Sequence, residues 1–174
     1  MAHNLRMLFC ADPLDASRPD PVYEGELAAA EQLGVACDLI RFESLVDDHD
    51  AEHAVRRVKA ATASTTGVYR GWMLRPERYA ALYSALAARG IQLINDPPAY
   101  ALCHSLPNWY SVLHQWTPKS IWLRLDADLD VDALVDLFAP FDGGPVIVKD
   151  FVKSQKHHWD EACFIPSTSD MASV

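Results

Sequence analysis

The first forty-odd residues constrain the fold more than any other stretch. Arg6-Met-Leu-Phe-Cys-Ala11 is an apolar run that breaks at Asp12-Pro13, and a loop rich in Pro, Asp and Ser follows as far as Pro21. Tyr23 to Leu33 then has helical spacing, with Leu27, Ala30 and Leu33 on one stripe and Gly34 as the stop. Val35 to Phe42 is a second apolar run of strand length. A strand, a crossover helix and a second strand in immediate succession predict an open α/β fold on a mostly parallel sheet, in which ligands approach the carboxyl ends of the strands.

The same alternation continues. An acidic connection, Glu43 to Asp50, leads into a basic helix expected over Ala51 to Ala61. Thr66 to Leu74 is expected as the next strand, with Arg70 and Gly71 inside it, and Pro76 opens a helix at its favoured first-turn position. That helix, Glu77 to Arg89, carries Tyr79, Leu82, Tyr83 and Leu86 at three- and four-residue spacing and is closed by Gly90. Ile91 to Asn95 is a further strand, and the double proline after Asp96 marks a boundary between an α/β domain, 1–97, and a smaller α+β lobe, 98–174. In the second part we expect a helix from Ala99 to Leu113 interrupted at Pro107, a short strand from Thr117 to Leu123, and a helix from Val131 to Phe141. A Gly-Gly-Pro turn then leads into a buried strand from Pro145 to Val152, with Ala162 to Ile165 placed to pair with it as a hairpin.

Composition narrows the partners. Half of the 174 residues are apolar, enough to build a core, and the net charge of −9 argues against nucleic acid as a general partner, because phosphate backbones select basic faces. No apolar stretch approaches the roughly 18 residues that cross a bilayer, and the start lacks the layout of a signal peptide, so a soluble, cytoplasmic protein is expected. Cys10, Cys37, Cys103 and Cys163 are scattered through apolar segments and show no paired spacing, which predicts buried free thiols rather than disulfides or a zinc knuckle.

On an acidic body, a nucleotide site has to be a local cationic pocket. Lys149 interrupts the Val146-Ile147-Val148 run, and an unpaired ammonium in a buried strand must snorkel or meet an anion. Lys153 and Lys156 follow across a polar loop with Ser154, so three ammonium groups and several backbone N–H donors can converge on one phosphate. The alternative is an edge lysine paired with Asp150 or Asp160. Arg70, beside Gly71, either lines a cleft on the substrate side or pairs with a carboxylate at the sheet edge. His104 is more often a packed or surface histidine than a catalytic one. His49-Asp-Ala-Glu-His53 fits the H-x-x-E-H zinc-hydrolase pattern, but its acidic setting favours a plain helix start capped by Asp50. Neither a G-x-G-x-x-G nor a Walker-type loop occurs.

Taken in register, Tyr69-Arg-Gly-Trp-Met-Leu74, Leu93-Ile-Asn-Asp96, His104-Ser-Leu-Pro-Asn-Trp-Tyr110, Thr117-Pro-Lys-Ser-Ile-Trp-Leu123, Pro145-Val-Ile-Val-Lys-Asp-Phe-Val-Lys-Ser154 and Trp159-Asp-Glu-Ala-Cys-Phe-Ile-Pro166 resemble the ATP-grasp superfamily, and within it the RimK-related amino-acid and peptide ligases. The resemblance implies a pre-ATP-grasp domain followed by the first of the two lobes that hold ATP. It implies ATP and magnesium as cofactors, with a carboxylate phosphorylated by ATP and then attacked by an amine. Lys149 would match the strand lysine on the phosphates, and Lys153, Ser154 and Lys156 the flap over them. The family's second nucleotide lysine has no counterpart on the Ala99 to Leu113 helix, which leaves His104 or Lys119 to substitute. The family's adenine hinge and magnesium ligands belong to a second lobe beyond Val174, so the chain is expected to be the N-terminal part of a carboxylate–amine ligase, inactive alone. The alternative is a shortened, non-catalytic ATP-grasp-like binding or assembly module, a homodimer among its possible forms.

Overall fold

The computed structural model describes residues 4–123, 136–152 and 163–169. It divides into two compact units, Met1–Ala101 and Leu102–Val174.

The first unit is α/β. Its strands are β1 (Leu5–Cys10), β2 (Ala36–Ile40), β3 (Thr65–Arg70) and β4 (Ile91–Leu93), joined in one sheet in the order β2-β1-β3-β4 with every pairing parallel. The helices are α1 (Glu24–Gln32), α2 (Phe42–Val46), α3 (Ala51–Ala54) and α4 (Pro76–Ala87). The alternation along β1 decides how they are layered. Leu8 packs into one core cluster with Leu45, Val55, Val58, Leu82 and Leu86, and Phe9 into another with Tyr23 and Leu27. The sheet is therefore covered on both faces, which is why its central strand is almost uniformly apolar.

α4 has Pro76 in its first turn and buries Tyr79, Leu82, Ala85 and Leu86. Each fully buried leucine contributes roughly 1.5–3 kcal/mol, so this face is a principal support of the unit. Asp50 caps α3 with its side chain, accepting from the His53 backbone N–H at 2.8 Å.

Several elements are shorter than their sequence suggested. α3 stops at Ala54, because Val55 and Val58 are carried into the core by a turn instead of a helix, the Val58 N–H bonding the Val55 carbonyl at 2.9 Å. Leu33 lies outside the buried stripe of α1, 82% exposed, one residue before Gly34 turns with φ 72°. β3 ends at Arg70 instead of Leu74, because the Tyr69 hydroxyl donates to the Trp72 carbonyl and folds the chain back on itself.

In the second unit, α5 (Pro97–His104), which begins in the first, and α6 (Leu106–Leu113) meet at Ser105, with Pro107 in the opening turn of α6. The expected strand over Thr117 to Leu123 is absent from the described residues; there the Ser120 N–H is taken by the Tyr110 hydroxyl at 2.9 Å, not by a sheet partner. Of the expected helix over Val131 to Phe141, only 136–138 and the 3₁₀ turn Ala139–Phe141 are described. β5 (Val146–Ile147) pairs antiparallel with β6 (Phe164–Ile165), so the hairpin exists as a two-residue ribbon. Among the described residues no helix is long and apolar enough to cross a membrane.

Candidate functional site

The strand order fixes where a ligand crevice lies in the first unit. From β1 the chain crosses to β2 on one side and later to β3 on the other, so connections leave β1 and β3 in opposite directions and open a gap beyond their carboxyl ends. Two segments border this gap, the loop after β1 and Gly71-Trp72 after β3.

The loop after β1 is held by its own aspartates. Asp12 Oδ1 accepts from the backbone N–H of Leu14 at 2.7 Å and of Asp15 at 3.1 Å, while Asp15 Oδ1 accepts from the Ser17 backbone and hydroxyl. Those bonds to Ser17 hold the Asp15 carboxyl below its ordinary range. Asp20 then serves both segments. Its Oδ1 caps the turn at Val22, and its Oδ2 accepts from the Trp72 indole N–H at 2.9 Å. Tyr23, buried, lies between Phe9 and Trp72, with ring centroids 6.3 and 5.6 Å away.

At the floor, Cys10 Sγ is 3.7 Å from the Tyr69 hydroxyl. Because that hydroxyl gives its only proton to the Trp72 carbonyl, the thiol is the donor to it. Burial pushes the Cys10 thiol up and the Tyr69 phenol far up, which favours the neutral form of both. A Cβ at Gly71 would stand 2.5 Å from Cys10 Sγ, so only glycine lets the chain pass this close.

Arg70 stands at the rim as the last residue of β3. It forms a two-pronged pair with Glu26 of α1, Nε to Oε2 at 2.6 Å and Nη2 to Oε1 at 2.7 Å, and its guanidinium carbon lies 5.4 Å from the Tyr23 ring centroid. Of the two readings of Arg70, the structure shows the carboxylate pair, formed at the carboxyl end of β3.

The remaining candidates lie in the second unit. Lys149 is not in the interior of a buried strand. β5 ends two residues before it, Ile147 and Val148 are 53% and 44% exposed, and Lys149 is exposed. The cause is local: Asp150 Oδ1 accepts from the Val152 N–H at 2.7 Å, an Asx turn that bends the chain out of strand geometry. Among the described residues no carboxylate reaches Lys149, and Asp150 uses an oxygen on the turn. The Leu106 N–H donates to the Phe151 carbonyl at 3.0 Å, tying the end of α5, where His104 is half-buried, to the Lys149 segment. Lys119 Nζ donates to the Pro140 carbonyl at 2.7 Å, which fastens it to the turn preceding β5. Lys153, Ser154 and Lys156 lie outside the described residues.

Among the described residues, the side chains of the H-x-x-E-H stretch do not converge as a group of three possible metal ligands. His49 precedes the cap of α3 and is the neighbour of Arg78 at 3.2 Å, while His53 Nδ1 bonds the Ser44 hydroxyl at 2.8 Å, so the two rings do not stack on one helical face. The thiols are free, but only Cys10 and Cys163 are buried; Cys37 is half-buried and Cys103 exposed.

Sequence reasoning named Arg70 but missed Asp20, Tyr23, Glu26, Cys10 and Trp72, which border the same crevice. The signal available was topological: whatever follows β1 and β3 must meet at the carboxyl edge of the sheet. No family model matches the chain, and no curated protein matches it.

Proposed function

We propose that this chain supplies the N-terminal part of an ATP-dependent carboxylate–amine ligase of the ATP-grasp kind. The first unit is the substrate-side α/β domain, and the second is the first nucleotide lobe. The observation that carries this reading is the Lys149 segment: an exposed ammonium with no carboxylate partner among the described residues, followed in sequence by Lys153 and Lys156, and fastened by the Leu106–Phe151 hydrogen bond to the segment that ends in His104. Such an ammonium can meet phosphate without breaking an existing pair.

The two implied cofactors fit unequally. Lys149 suits a phosphate oxygen, and Lys119 does so once released from the Pro140 carbonyl. For magnesium, no three His, Cys, Asp or Glu side chains converge among the described residues, so no metal-dependent step is assigned to them. The work of these residues is restricted to holding phosphate charge.

Titration of the chain with ATP and magnesium tests the reading. Weak binding is expected, reduced about tenfold by Lys149→Ala, the equivalent of one charge-assisted hydrogen bond. Tight binding indifferent to Lys149→Ala would overturn it.

A further inference from the structure

The pair at the rim of the crevice has the form of an occupied carboxylate site. Arg70 presents both prongs of its guanidinium, Nε and Nη2, to Glu26 at 2.6 and 2.7 Å, a planar fork matched to the two oxygens of a carboxylate. The guanidinium carbon lies 5.4 Å from the centroid of the Tyr23 ring, which itself sits between Phe9 and Trp72. Besides Glu26, the cation thus has an aromatic face beside it. It also ends β3, one of the two strands whose carboxyl ends define the crevice. Glu26, by contrast, is a half-exposed side chain of the first turn of α1, with Arg70 as its one ion-pair partner among the described residues.

We infer that Glu26 is a built-in stand-in for a ligand carboxylate: a small carboxylic acid binds Arg70 by displacing the Glu26 side chain. This names the substrate class on the first unit, and it rests on the ligase reading above. Displacement is inexpensive because both side chains are almost half exposed, 48% for Arg70 and 44% for Glu26, and such pairs are held only loosely in water. The displaced glutamate swings to solvent, and its charge remains favourable beside the helix amino terminus.

The test is a titration of the whole 174-residue chain with N-acetylglycine, followed through the Arg side-chain Nε–H and backbone amide resonances, with N-acetylglycinamide as the uncharged control. Removing the competitor with Glu26→Gln is expected to tighten N-acetylglycine binding about fivefold, the conversion of roughly 1 kcal/mol for an exposed pair. Glu26→Ala should do the same, guarding against a variant-specific packing change. Glu26→Gln combined with Arg70→Gln should bind neither compound. Equal affinities for the parent chain and both Glu26 variants, binding that survives loss of Arg70, binding of the amide, or no binding by any form would each overturn the inference. Because no nucleotide is present, failure here leaves the ATP titration with Lys149→Ala standing, and failure of that titration leaves this one readable.

Discussion

The two units differ in where their apolar side chains go. In the first, Leu8, Phe9, Ile40, Leu82, Leu86 and Ile91 are wholly removed from solvent, and the sheet they build is clad on both faces. In the second, the described residues bury only Val146, Cys163 and Ile165, while α5 and α6 bury none and Trp116 and Val112 are 76% and 64% exposed. Burial of this extent lets the first unit hold polar geometry in place, such as the two bonds between the Tyr100 hydroxyl and the backbone of Leu74. In the second, hydrogen bonds between segments, as at Leu106–Phe151 and Ser120–Tyr110, carry more of the organisation.

The largest effect that can break this contrast is a core truncation made on both sides of it. Leu82→Ala in α4 removes a fully buried side chain from the main cluster and should cost about 2–5 kcal/mol, read as a fall in the urea midpoint at unchanged slope. Ile165→Ala in the two-residue ribbon, 8% exposed and on a strand with one partner, should cost less than half as much. Equal losses would show that the second unit has a core as consequential as the first.

How much of this was readable beforehand follows the same division. The first unit announced itself because its elements are set by local periodicity: the 79, 82, 86 spacing of α4, Pro76 at its start and the apolar run of β1 all appear in the structure. Strand ends were overshot where a tertiary contact cuts the element, as Tyr69 does by bonding the Trp72 carbonyl. Lys149 was misplaced for a related reason: Val146-Ile147-Val148 has strand propensity, but burial needs a covering layer, and an Asx turn at Asp150 ends the ribbon first. The site was legible only at Arg70. Its partner Glu26 lies 44 residues away in sequence, and Asp20 lies 52 from Trp72, distances that only the topology closes.

The next effect sharpens the contrast through pH. Burial pushes the Tyr79 phenol up to about 12 and raises the Cys10 thiol and the Tyr69 phenol as well. For an acid whose folded pKa lies above its unfolded value, the stabilisation is complete below the unfolded pKa and is lost as pH rises through the folded one. The first unit should therefore lose stability above pH ~8.5, where unfolded cysteine begins to ionise, and more steeply above pH ~10 for the tyrosines. Tyr79 accounts for roughly 2 kcal/mol of the loss by pH ~12. Urea unfolding at a series of alkaline pH values, with tyrosinate absorbance followed in parallel, checks this. Tyr79→Phe should flatten the alkaline slope, and an unchanged slope would refute the assignment.

The smallest effect compares two tyrosines that do similar work in different surroundings. Tyr100 stacks on Tyr79 with ring centroids 3.8 Å apart, and its hydroxyl both accepts from the Leu74 N–H at 3.0 Å and donates to the Leu74 carbonyl at 2.9 Å. Removing it strands two backbone groups of a residue that is 1% exposed, so Tyr100→Phe should cost about 1–2 kcal/mol. Tyr110 accepts from the Ser120 N–H at 2.9 Å, but in a half-open setting where water can take the vacated place. Tyr110→Phe should cost about 0.5 kcal/mol or less, with faster hydrogen exchange confined to the amides around Ser120. If exchange instead accelerates throughout the second unit, that single bond is organising more than its own loop. The contrast would then be one of cooperativity and not of burial alone.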